Sequence, residues 1–129
     1  MYIYKLLVSA LLISVLLIIG CSDDSTPTKS GGEGRDFTVT VSSGTTPQYS
    51  WASGDAFSVS VVRTATPTEI IWGIATPGQS NIASPANHGV APNGAVTTAQ
   101  SETVLSAGVE YRVSVTLLNT KTGYTDFTP

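Results

Sequence analysis

From Val109 to Leu117 the chain alternates without interruption: Val109, Tyr111, Val113, Val115 and Leu117 fall on one side, and Glu110, Arg112, Ser114 and Thr116 on the other. Only an extended strand places five such apolar residues on one face, because side chains reverse direction at every residue of a strand and at no other regular spacing. The same period recurs in Phe37, Val39 and Val41, in Phe57, Val59 and Val61, and in Ile70, Trp72 and Ile74. No stretch beyond the N-terminal segment repeats its apolar residues at helical spacing, so the folded part is expected to be all-β.

Turn formers separate these runs. Ser43-Gly44-Thr45-Thr46-Pro47 precedes a strand over Gln48 to Trp51, Ala52-Ser53-Gly54-Asp55 ends it, and Asn119 to Gly123 leads into a closing strand from Tyr124 to Thr128. Short strands are expected at Ala95 to Thr98 and at Glu102 to Leu105. Between Thr76 and Gly94 the alternation collapses into Gly, Pro, Asn and Ser, which predicts a long loop, either functional or packed as an ordered excursion. About seven strands at intervals of eight to twelve residues predict a single antiparallel β-sandwich of two sheets over residues 36–129.

The 129-residue chain has one cysteine, Cys21, which follows an apolar run from Leu6 to Gly20 behind Lys5. A short charged start, an apolar core and a small residue before the boundary make up a secretory signal, expected to be helical over residues 1–20. Ile18-Ile19-Gly20-Cys21 resembles the lipobox of bacterial lipoproteins. That resemblance implies cleavage before Cys21, acylation of the cysteine, and a lipid bilayer as partner in the cell envelope. Ser22 in second position resembles lipoproteins sorted to the outer membrane, and Ser22-Asp23-Asp24 resembles acidic surface-export tags. The alternative is a plain spanning anchor. The run is at the short end for crossing about 30 Å of hydrocarbon, and Asp23 and Asp24 follow at once.

Residues 21–35 read as a lipidated N-terminus and flexible tether, since Ser22 to Gly34 contains no aliphatic residue. In the remainder six acids stand against Arg63, Arg112 and Lys121, without a basic patch, so nucleic acid is not an expected partner. A single cysteine permits no intrachain disulfide and no cysteine-rich metal site.

Leu105-Ser106-Ala107-Gly108-Val109-Glu110-Tyr111-Arg112-Val113-Ser114-Val115 resembles the Leu-x-x-Gly-x-x-Tyr-x-Val-x-Val of fibronectin type III modules. The resemblance implies a fibronectin-like or immunoglobulin-like sandwich and a tyrosine corner, with Leu105 and Gly108 shaping the turn to which the Tyr111 hydroxyl returns. Trp51 stands where such modules place a core tryptophan. No functional motif of that family is present, so the resemblance carries a fold and no activity.

Candidate chemistry is sparse. His88 is the only histidine, with no Gly-x-Ser-x-Gly elbow and no zinc spacing around it, and no Asp-x-Asp-x-Asp run marks a calcium site. Neither metal nor cofactor is expected, and a hydrolase is a remote reading. Trp72, Tyr49, Tyr124 and His88 offer two alternatives: a flat aromatic platform for a glycan, or large side chains filling a small core. On this reading the chain is a non-catalytic, membrane-tethered structural or interaction module, with a carbohydrate-binding module as the alternative.

Overall fold

A computed structural model describes residues 35–129 apart from Gln79. The signal segment, Cys21 and the tether to Gly34 lie outside the described residues. The described chain is all-β, with eight strands: β1 (Thr40–Val41), β2 (Gln48–Ser50), β3 (Ala56–Arg63), β4 (Thr66–Ala75), β5 (Ala86–Asn87), β6 (Val96–Gln100), β7 (Tyr111–Leu117) and β8 (Thr122–Phe127). They form a three-stranded sheet ordered β1-β2-β5 and a five-stranded sheet ordered β6-β4-β3-β7-β8, antiparallel throughout.

The core lies between the two sheets. Val39, Tyr49 and Ala86 from the side of the smaller sheet meet Val59, Val61, Trp72, Ile74, Val113, Val115 and Leu117 from the larger one. Tyr49 and Trp72 touch across the gap with ring centroids 6.1 Å apart. Strand β7 buries every second residue from Tyr111 to Leu117, as its alternation requires.

Two departures from strict alternation arise from bulges. An irregularity between Ala56 and Ser58 in the pairing of β3 with β7 takes Phe57 off the inner face, and it is 46 % exposed while Ala56 is buried. Between Val61 and Val62 the partners on β4 step from Trp72 to Ile70, so Ile71 is an extra residue. Ile71 turns inward and Ile70 outward, where it is 47 % exposed. An inserted residue reverses every side chain beyond it, which is why Phe57 and Ile70 leave the faces their spacing predicts.

The predicted loop after β4 is in part sheet. Ile82 exchanges both backbone hydrogen bonds with Ala56, at 2.8 and 2.9 Å, and β5 pairs with β2. Ile82, Ala86 and His88 are buried, so this segment contributes to the core while its Pro and Gly residues turn it at the surface. The strand expected at Ala95 to Thr98 runs on to Gln100, whereas Glu102 to Leu105 forms no strand. There Ser101 and Glu102 both donate their N–H to the carbonyl of the bulged Ile71, at 2.8 and 3.0 Å.

The chain enters beside β8. Phe37 bridges Gly123 in parallel, Asp36 N–H donates to the Thr122 carbonyl and Thr122 N–H returns to Asp36 Oδ2, both at 2.8 Å. A β-carbon on Gly123 would stand 2.5 Å from the Phe37 ring, so glycine is what lets this entering segment lie flat on the strand.

Candidate functional site

Three of the four residues nominated for a platform, Tyr49, Trp72 and His88, do converge, but inside the protein. Strand β2 points Tyr49 inward, β4 points Trp72 inward, and the backbone N–H of His88 is held by the Pro47 carbonyl at 2.9 Å, which fixes the imidazole beside them. The His88 and Trp72 rings lie 4.8 Å apart, and His88 meets Tyr49 edge-on at 6.0 Å. None of the three presents a face to solvent, so none can stack on a sugar in this conformation. Tyr124 is on the opposite, outer side of the larger sheet, half-buried beneath the guanidinium groups of Arg35 and Arg112, which stand 4.0 and 4.4 Å from its ring centre. These cations occupy the ring with cation–π contacts of their own.

His88 is 4 % exposed, and both its nitrogens are engaged. Nε2 lies 2.8 Å from the backbone carbonyl of Glu102, which can only accept, so Nε2 carries the proton. In the neutral ring Nδ1 is then an acceptor, and Tyr49 donates its hydroxyl to it at 2.9 Å. Burial disfavours the imidazolium and lowers the His88 pKa from 6.5 to about 4. Burial likewise raises the Tyr49 hydroxyl above its ordinary range, with a smaller contribution from Tyr111.

Beyond the carbonyl that receives His88, the Glu102 carboxylate continues the cluster. Oε2 accepts from the Tyr111 hydroxyl at 3.0 Å, and Oε1 is paired with Arg63 at the end of β3. The Tyr111 hydroxyl accepts in turn from Ser106 N–H at 2.9 Å, spanning the turn in which Leu105 is buried and Gly108 has φ of 77°. That left-handed backbone is one glycine adopts without the penalty of a β-carbon. Hydrogen bonds therefore run from Tyr49 in the smaller sheet, through His88 and Glu102, to Tyr111 and Arg63 in the larger one.

Arg63 and Glu102 were not singled out from the sequence, although a signal for Arg63 exists. It has the same parity as Val59 and Val61, and a cation on an inward face needs a carboxylate partner. Nothing local marks Glu102, whose partners come from positions 39, 14 and 9 residues away.

The arrangement has the chemistry of a structural link. A histidine acting as general base needs a nitrogen within reach of a substrate proton, and here each nitrogen is satisfied by the protein. Among the described residues no group of three or more His, Cys, Asp or Glu side chains is placed to hold a metal ion. No protein-family model, curated protein or solved structure matches the chain.

Two measurements check this geometry. Tyr111→Phe removes the acceptor of Ser106 N–H and the donor to Glu102, and is expected to lower the unfolding free energy in urea by about 1–3 kcal/mol; unchanged stability would show that the hydroxyl bonds contribute nothing. For His88 the unfolded chain takes up a proton near pH 6.5 and the folded chain only near 4. Its contribution to stability is therefore intact above pH 6.5, is lost as the pH falls towards 4, and changes no further below that. The stability advantage over His88→Gln should shrink by about 3 kcal/mol between pH 7.5 and 4, whereas a pH-independent difference would contradict a buried neutral ring.

Proposed function

We propose that this chain is a non-catalytic cell-envelope lipoprotein in which a fibronectin type III-like sandwich, serving as a structural or interaction module, is held on a short tether at a membrane surface. The observation that carries the reading is the position of the single cysteine. Cys21 follows Ile18-Ile19-Gly20 at the end of the apolar run and stands at the head of a polar stretch. Acylation gives this thiol a role, whereas a bare spanning anchor leaves an exposed cysteine in an oxidising compartment. One acyl chain holds a protein only marginally, and two or more make the attachment lasting.

The tether sets the scale of the arrangement. On the tether reading of residues 22–34, a polar chain of thirteen residues has a root-mean-square span of roughly 20 Å, at about 5–6 Å times the square root of their number. The module is thus kept within about its own diameter of the headgroups. The fibronectin-like reading draws on the Leu105 to Val115 motif and on two antiparallel sheets of three and five strands with a tyrosine hydroxyl bonded back to the preceding turn. Outer-membrane sorting draws on Ser22 in second position.

The burial of Tyr49, Trp72 and His88 weighs against the carbohydrate-binding alternative, because it leaves Tyr124 as the one nominated ring with any outward surface, already beneath two arginines. Replacing Cys21 tests the proposal. Cys21→Ser is expected to move the protein from the membrane fraction to the soluble fraction and to abolish incorporation of labelled palmitate. A variant that stays in the membrane at unchanged mass would instead identify residues 1–20 as a spanning anchor.

A further inference from the structure

The point at which the chain joins the sandwich distinguishes its two ends. Asp36 N–H donates to the Thr122 carbonyl and Phe37 bridges Gly123 in parallel, so the chain arrives at the start of β8. Thr122 pairs with Thr116, and Thr116 with Ser58. This entry end therefore carries the β7–β8 turn and the beginning of β3. The far end carries the turn after β1 and the segment before β7, where Leu105 N–H donates to the Thr45 carbonyl and Gly108 N–H to that of Pro129.

Two large apolar side chains face outward at the entry end. Leu118 is 51 % exposed in the β7–β8 turn, and Phe57 is the residue that the bulge in β3 takes off the inner face. The turn is fixed: Leu118 N–H donates to the Asp55 carbonyl at 3.3 Å, Leu117 N–H to that of Lys121 at 2.9 Å, and Thr120 N–H to that of Leu117 at 3.0 Å. Charge at this end is balanced, with Arg35 and Lys121 against Asp36 and Asp55. Both acids already accept hydrogen bonds, Asp36 from Thr122 N–H and Asp55 from Asn81. An anionic surface is therefore not repelled, and the attraction this end offers is apolar.

Exposure alone does not choose between the ends, since Ile70 and Val104 are comparably exposed toward the other. The length of chain between Cys21 and the fold does choose. Its span of roughly 20 Å reaches the entry end in any pose. The far end lies about 23 Å beyond, the rise of the seven residues of β7, so bringing it to the lipid would stretch the tether well past that span.

We infer that the sandwich docks end-on against a phospholipid bilayer, with Leu118 and Phe57 set into the acyl-chain boundary and Lys121 among the headgroups. Two side chains would hold a free domain there only weakly. The tether makes their insertion intramolecular, at an effective concentration in the millimolar range, and so lets a small contact fix an orientation. The inference rests on acylation of Cys21, as proposed above, and adds to it the surface that meets the lipid.

Quenching by brominated lipid tests it on the full chain. Leu118→Trp, Phe57→Trp and, at the far end, Val104→Trp are each purified from cells fed labelled palmitate. They are then reconstituted into vesicles of phosphatidylethanolamine and phosphatidylglycerol with bromine on the acyl chains. The unsubstituted chain supplies the background from Trp51 and Trp72, which are buried. Leu118→Trp and Phe57→Trp are each expected to lose several-fold more of their added emission than Val104→Trp. In a palmitoylated chain, equal quenching at both ends, stronger quenching at Val104→Trp, quenching confined to one of the two entry-end probes, or none at all would overturn the inference alone. A chain that takes up no palmitate would overturn the anchoring at Cys21 and this inference with it.

Discussion

As a neutral ring, the form its burial favours, His88 satisfies both nitrogens only with the proton on Nε2, since one partner is a backbone carbonyl, which can only accept, and the other a tyrosine hydroxyl that can donate. That requirement ties the paired β2 and β5 of the smaller sheet to the segment after β6, with which they share no strand ladder. Tyr49 is on β2, His88 follows β5, and Glu102 follows β6, tied to β4 through the Ile71 carbonyl. Apolar contact alone holds two sheets together without specifying their register, because it is non-directional. Directional bonds in a low-dielectric interior do specify it, and they do so at a high penalty for any alternative that leaves a partner unsatisfied.

The cluster explains how a 129-residue chain with a single cysteine keeps its segments in place. The segment from Thr76 to Ala95, in which β5 is the one short strand, and the segment from Ser101 to Glu110 contribute Ile82, His88, Glu102 and Leu105 to the interior or its edge. Tyr111 anchors the second of these through Ser106 and Glu102, and Arg63 supplies the positive charge that a half-buried carboxylate needs. The domain is thus latched from inside, while the outer face of its larger sheet carries Tyr124 beneath Arg35 and Arg112.

Much of the architecture was legible because strands write themselves in period two. Val109 to Leu117 has the face it predicts, and Leu105, Gly108 and Tyr111 lie in one turn whose geometry follows from a glycine and a hydroxyl. Phe57 and Ile70 were misplaced because a bulge is a property of two strands paired together, invisible in either alone. β5 was hidden inside the Thr76 to Gly94 stretch because two residues paired with β2 leave no periodic trace. The polar cluster was the least legible part: His88 stood out only for being the single histidine, and its partners are brought to it by the pairing of the whole fold. Arg63 carried a signal that went unread, since it shares the parity of Val59 and Val61 and its partner is the Glu102 carboxylate.

The most direct measurement is the nitrogen NMR spectrum of the His88 side chain followed from pH 7.5 to 4. The account predicts one tautomer throughout the upper range, with Nε2 protonated and Nδ1 bare, and no imidazolium until the pH approaches about 4. A ring that titrates near 6.5, or one that carries its proton on Nδ1 at neutral pH, would contradict the bridge on which the packing of the two sheets depends.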